Sequence, residues 1–259
     1  MNNKVILISI DGMRPDGLRA SGNPYVAELE KRATYTYTGQ AVFPSVTFPC
    51  HYSMAHSVTP ERHGILTNTY VPEVRPVTGI FERIRSAGGV SAMFYGWEPL
   101  RDIASSGALR FSTYINAYMK ESTDTVLTDE ALRVIAEDKP DFAFLYMVET
   151  DEKGGHDNGW MSEEYLRRIS IAIDNVKRVI EACGDEYRVI VMADHGGHDR
   201  SHGSRMPEDM TVPFFYIGEG FAPGREIDGL SLLDVAPTVA DLLGIAPERE
   251  WEGRSVLTM

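Results

Sequence analysis

Short apolar runs punctuate the chain at residues 4–10 (KVILISI), 90–96 (VSAMFYG), 142–148 (FAFLYMV), 187–193 (YRVIVMA) and 214–218 (FFYIG). Each is apolar nearly throughout instead of alternating, which suits strands of a sheet covered on both faces. A helical period fills the gaps between them. After Ser162, the residues Ile169, Ile173, Val176 and Ile180 recur at three- and four-residue spacing as far as Cys183, and Gly184 follows. That pattern predicts an amphipathic helix with a cap at each end. Thr128 is expected to cap a second helix over DEALRVIAED, stopped by Pro140, and residues 232–245 (LLDVAPTVADLLGI) read as a third. Strand alternating with helix predicts an α/β fold with a mostly parallel sheet. With no internal repeat or Gly/Ser linker, residues 1–259 are expected to form one domain.

Three of the predicted strands lead into loops that carry an acid: Asp11 after the first, Asp151 after the third, Asp194 and His195 after the fourth. In open α/β sheets, ligands collect beyond the carboxyl ends of the strands. Three carboxylates at one sheet edge repel one another, and a cation is the usual compensation. The stretch DHGGHDRSHG, residues 194–203, adds His198 and His202, and ETDEKGGHDNG, residues 149–159, adds His156. Mixed carboxylate and imidazole donors suit zinc, manganese or iron better than calcium. The absence of a local cysteine pair points to a catalytic and not a structural site.

The charge balance changes the picture in one respect. Lys and Arg total 25 against 38 Asp and Glu, a formal charge of −13, which argues against a duplex nucleic acid partner. No apolar run approaches membrane-spanning length, and the N-terminus lacks the pattern of a cleaved leader. Two cysteines, Cys50 and Cys183, form no disulfide framework. The expectation is a soluble cytoplasmic protein without a membrane partner. A separate stretch, VFPSVTFPCHYSMA at residues 42–55, holds four candidate nucleophiles: Ser45, Thr47, Cys50 and Ser53.

Together the segments LISIDGMRPD, PSVTFPCHYSM, TPERHGI, DHGGHDRSHG and LLDVAPTVADLLGI resemble the alkaline phosphatase superfamily. Within it they resemble the nucleotide pyrophosphatase/phosphodiesterase (type I phosphodiesterase) branch. The resemblance implies an alkaline-phosphatase-like three-layer α/β/α sandwich and two divalent ions, zinc by preference with manganese or iron open, about 4 Å apart as in two-metal sites generally. Carried over residue by residue, one ion is held by Asp11, Thr47, Asp194 and His195. The other is held by Asp151, His156 and His202, with His198 as the alternative to His202. Thr47 falls at the family's nucleophile, and Asn68 where the family has an Asn that helps hold non-bridging phosphate oxygens. Two departures stand out: Cys50 replaces a common Asn, and Asp151 and His156 are five apart where four is usual.

A threonine hydroxyl becomes a nucleophile when a dication lowers its pKa. Pro49 suits the first turn of a helix, so Thr47 is expected at a helix N-terminus, where backbone N–H groups favour phosphate. The Phe48 N–H and the Asn68 amide are expected to donate to the developing charge. The implied activity is a metal-dependent phosphodiesterase/nucleotide pyrophosphatase that hydrolyses small phosphodiesters through a phosphothreonine. A phosphomonoesterase or phosphonate hydrolase on the same core, and a non-catalytic metal-binding homologue, are the rivals. His51 and His63 are read as structural, Arg14, Arg62 and Arg205 as surface ion-pairing residues, and Cys50 as the place where the substrate pocket would differ.

Overall fold

The computed structural model describes residues 3–105 and 107–258. The strands are β1 (Lys4–Ile10), β2 (Ala33–Gln40), β3 (Ser91–Tyr95), β4 (Phe111–Tyr114), β5 (Phe142–Met147), β6 (Tyr187–Met192), β7 (Thr211–Ile217) and β8 (Arg225–Glu226). They form one eight-stranded sheet in the order β4-β3-β5-β1-β6-β7-β2-β8. From β4 to β6 every pairing is parallel, whereas β7 runs antiparallel to both β6 and β2.

The helices are α1 (Pro15–Ala20), α2 (Tyr25–Arg32), α3 (Thr47–His56), α4 (Pro60–His63), α5 (Ile80–Ser86), α6 (Thr123–Asp138), α7 (Glu163–Cys183), α8 (Pro207–Met210) and α9 (Val235–Leu242). One layer contains α3, α5 and α9, which pack on one another and on β1 and β3. Another contains α1, α2, α6 and α7, with α6 on β3 and β5 and α7 on β6. The architecture is therefore the expected three-layer α/β/α sandwich. It also explains the unbroken apolar runs: all residues of β3, β5 and β6 are buried, because the sheet lies between the two helical layers.

The Ser162 cap holds, its side chain accepting the Tyr165 N–H, and α7 buries Ile169, Ile173, Val176 and Ile180. Thr128 does not cap a helix. The helix begins five residues earlier at Thr123, and the buried Thr128 hydroxyl donates back to the Asp124 carbonyl. That back-bond satisfies a threonine in a helix interior, so the residue type alone does not mark an end. The third predicted helix begins as a 3-10 turn at Leu232–Asp234, set by a reciprocal Ser231–Asp234 capping box, before α9.

Candidate metal centre

The centre lies where β5, β1 and β6 end side by side. Ser9 is level with Tyr146 on one side and with Met192 on the other, so the three strands deliver their next residues to one edge. Asp11, Asp151 and Asp194 follow them and are 1%, 5% and 0% exposed. Gly12 has a positive φ of 66°, and a Cβ on it would lie 2.8 Å from Asp151 Oδ1, so only glycine lets these two loops approach. Asp11 Oδ1, Asp151 Oδ1 and Asp194 Oδ2 are buried without a hydrogen-bond partner among the described residues. Burial, with Asp194 and Asp151 nearby, pushes the Asp11 carboxyl well above its usual range. Burial and Asp151 push Asp194 up to about 8. Unpaired buried carboxylates cost several kcal/mol each, a penalty that a bound cation removes.

The histidines make the same point through their tautomers. In His156, His195 and His202, Nδ1–H donates to a backbone carbonyl: Arg200 at 3.0 Å, Gly196 at 2.7 Å and Ser45 at 2.9 Å. Each is thereby set, when neutral, to present its Nε2 lone pair, as metal-binding imidazoles do. Those lone pairs converge on the acids. His195 Nε2 is 3.2 Å from Asp11 Oδ1 and 3.4 Å from Asp194 Oδ2. His156 Nε2 is 3.3 Å from Asp151 Oδ2, and His202 Nε2 is 4.0 Å from Asp151 Oδ1. The donor atoms of Asp11, Asp194 and His195 lie within 4.8 Å of one another, as do those of Asp151, His195 and His202. Oxygen and imidazole donors of this kind, turned inward and otherwise unpaired, fit two divalent cations.

The five-residue spacing of Asp151 and His156 has a structural cause. Residues Thr150–His156 are wound as a π-helix. Its i→i+5 repeat brings residues five apart onto one face, which the α-helical repeat does for residues four apart. The extra residue is absorbed in the winding, and His156 still reaches Asp151.

Thr47 is the first residue of α3, and its Oγ1 is 3.2 Å from His195 Nε2. Asn68 lines the same pocket, of about 150 Å³, with Thr47, Asp11, Asp151, His156 and His202. The Phe48 N–H is not free for a ligand: it donates to Asn68 Oδ1 at 3.0 Å. This orients the amide and leaves its NH₂ group for the pocket.

Other candidates are placed elsewhere. His198 turns away to Asp209, its Nδ1 at 2.7 Å from Oδ1. Cys50 does not enter the pocket. It is fully buried, with Sγ facing the Val42 and Pro44 carbonyls, and burial with Asp194 raises its pKa well above normal. A buried, protonated thiol is inert. His51 lies under the centre, bonded to Ser9 Oγ and the Thr47 carbonyl, and His63 is held by Ser53 Oγ and the Ile65 N–H. Arg14 and Arg62 pair with Asp16 and Glu250, while Arg205 lies over the Phe43 ring.

Several contributors escape a reading of the sequence. The Tyr146 hydroxyl donates to Asp11 Oδ2. Trp160 Nε1 and the Tyr165 hydroxyl both donate to the Gly12 carbonyl, and the Trp160 ring packs against His156 and His202. Trp97, Tyr118 and Glu152 complete the pocket wall. Tyr146 sits five residues before Asp151 in a strand that reads as pure core, so no local signal sets it apart.

A profile of the Metalloenzyme superfamily matches residues 82–247, and one of Type I phosphodiesterase / nucleotide pyrophosphatase matches residues 5–114. Ectonucleotide pyrophosphatase/phosphodiesterase family member 1 of Rattus norvegicus is 26% identical over 221 residues, covering 74% of this chain and 24% of that protein. The chain thus spans about a quarter of that relative's length. Among solved structures, murine ectonucleotide pyrophosphatase / phosphodiesterase 5 in complex with AMP superposes with a TM-score of 0.81 at 16% identity, covering 94% of this chain and 96% of that one. A phosphonate monoester hydrolase from Silicibacter pomeroyi gives 0.76 at 16% identity, covering 98% and 76%. Profile, relatives and fold agree with the arrangement at the sheet edge: residues 5–114 match the type I phosphodiesterase / nucleotide pyrophosphatase profile, and the chain belongs to the Metalloenzyme superfamily.

Proposed function

We propose that this chain is a metal-dependent phosphodiesterase of the nucleotide pyrophosphatase type, acting on small phosphate esters with Thr47 as nucleophile. The observation that carries the reading is the convergence of three lone-pair-presenting histidines and three orphaned carboxylate oxygens beside the Thr47 hydroxyl. We assign one cation to Asp11, Thr47, Asp194 and His195 and a second to Asp151, His156 and His202. Zinc is preferred for this donor set, with manganese and iron as the alternatives. When bound, such cations supply Lewis acidity at the phosphate and lower the pKa of coordinated hydroxyl groups.

The chain's own groups then divide the work. Thr47 Oγ attacks phosphorus in line, forming one P–O bond as the bond to the leaving oxygen breaks. The Asn68 amide, fixed by the Phe48 N–H, donates to a non-bridging oxygen. The first turn of α3 presents backbone dipoles to the anion. Water next attacks the phosphothreonine and Thr47 Oγ leaves, so two inversions give net retention.

A diester fits better than a monoester. The pocket is lined by Trp97, Tyr118 and Glu152 beyond the metal ligands, with no Lys or Arg among its described lining residues. A dianionic monoester requires further positive charge, which this wall does not offer. The AMP complex of the murine relative supports nucleotide esters as the first substrates to try. The two cysteines are buried and free, which is in keeping with a cytoplasmic protein. No helix among the described residues is long and apolar enough to cross a membrane.

The test is metal-reconstituted protein assayed on nitrophenyl phosphodiesters, monoesters, phosphonates and nucleotides. Diester turnover with about two equivalents of metal retained supports the reading. A protein that retains no zinc, manganese or iron overturns it in favour of a non-catalytic homologue.

A further inference from the structure

Five of the seven histidines, His51, His56, His156, His195 and His202, place Nδ1 against a backbone carbonyl. Four of them belong to the metal centre or lie under it; the fifth, His56, does not. Its Nδ1–H donates to the Tyr52 carbonyl at 3.0 Å, which makes Nε2 a lone-pair acceptor, and the residue is only 5% exposed. It lines a separate cavity of about 500 Å³ that shares no lining residue with the metal pocket. Along α3, His56 lies about 13 Å from Thr47 at the helical rise.

The polar groups around His56 are acceptors, and one of them lacks a donor among the described residues. Glu82 Oε1 accepts the Ser105 N–H, but Oε2 is buried with no partner. His56 Nε2 and Glu82 Oε2 both face the Cα of Gly79: a Cβ there would lie 2.8 Å from one and 2.9 Å from the other. Glu73 adds a carboxylate, held by the Tyr52 hydroxyl and the Val77 N–H. Neither Glu73 nor Glu82 forms an ion pair with a described Lys, Arg or His, and no described Lys or Arg lines the cavity. Tyr52, Tyr70 and Ile103 supply aromatic and aliphatic wall.

We propose that this cavity binds a primary ammonium group carried on a short aliphatic arm. An ammonium brings up to three N–H donors and a positive charge to a wall of acceptors and carboxylates. The two tyrosine rings favour the same cation, and the arm lies on apolar wall. A quaternary ammonium matches the charge but has no N–H for His56 Nε2 or Glu82 Oε2, so it is the weaker ligand. A metal ion is a poorer match, since among the described residues these two atoms form no three-ligand group.

The probe is 1,4-diaminobutane, titrated into the metal-loaded protein by calorimetry or by NMR of the His56 ring. The site predicts saturable binding, weakened about tenfold or more in Glu82→Gln, where one charge-assisted hydrogen bond is lost. Glutamine can keep the Ser105 contact, so the loop is preserved. Gly79→Ala, which places a methyl between the two acceptors, is expected to weaken binding similarly, and circular dichroism checks both folds. The N-permethylated diamine is expected to bind about tenfold more weakly than the parent. Absence of saturable binding overturns the proposal, as do equal affinities for wild type and Glu82→Gln, or for the parent and permethylated diamines. A diamine captured by the metal centre would ignore Glu82→Gln and be lost in His202→Ala, and that result also overturns it.

Discussion

Asp151 Oδ2 and His156 Nε2 are 3.3 Å apart although they lie five positions apart in the chain, because the stretch is wound as a π-helix. The turn is tightly enclosed. A Cβ on Gly155 would lie 2.6 Å from the Trp160 ring, and one on Gly154 would lie 3.0 Å from the Tyr165 backbone. Glycines thus allow the winding, and the winding carries two ligands of one proposed cation.

Gly155→Ala should therefore displace Trp160 or unwind the turn. Overpacking of this kind costs about 1–3 kcal/mol. Thermal melting should show the loss, and metal analysis should show weakened retention of the cation assigned to Asp151, His156 and His202. An unchanged melt and full metal content would contradict the account of the turn.

His202 Nε2 faces Asp151 whereas His198 is bonded to Asp209, and under the proposed assignment substitutions should separate the two. His202→Ala removes an inward Nε2 and is expected to lower metal content and diester turnover by about a hundredfold or more. His198→Ala removes the partner of buried Asp209 and should cost about 1–3 kcal/mol of stability while metal binding persists. Metal stoichiometry and melting of the two variants, measured side by side, make the check.

Metal uptake should release protons at neutral pH. In the metal-free protein, burial and Asp151 raise Asp194 to about 8, and the hydrogen bond to Asp151 raises His156 to about 9. Both groups hold protons at pH 7 and must lose them to ligate, so affinity should rise with pH and level off above those values. Calorimetry in two buffers of different ionisation enthalpy reads the release directly. Zinc affinity that is flat between about pH 6 and 9 would contradict this assignment.

Tyr146→Phe deletes the hydroxyl that donates to Asp11 Oδ2 while keeping the ring. Partners of metal ligands typically account for about 10–100-fold in metal affinity. Competition with a chelator should show a loss of that size, with little change in melting. A loss of stability without a change in metal affinity would make Tyr146 a packing residue only.

Much of this was legible in the chain and some was not, for physical reasons. Asp11, Asp194 and His195 stand directly after unbroken apolar runs, and buried parallel strands read that way. The direction of β7 was not legible, since an apolar run looks alike whichever way it pairs. β2, with its Thr and Tyr, and the four-residue β4 carry no such run and went unread. His198 and His202 are equivalent on spacing alone; only the fold supplies Asp209 to one and the Ser45 carbonyl to the other. Cys50 looked like the altered pocket residue because it is one turn beyond Thr47, yet the helix turns it towards Val42 and Pro44. A five-residue gap that seemed a misfit is a π-helical match.

The central claim is that Thr47, and not the more intrinsically reactive Cys50, carries the phosphoryl group. The direct measurement is diester turnover by Thr47→Ala with metal content determined on the same sample. The account predicts a fall of at least about a thousandfold with the metals substantially retained, since the nucleophile is removed while the Asp and His ligands of both cations stay. Near wild-type turnover in that variant would contradict it.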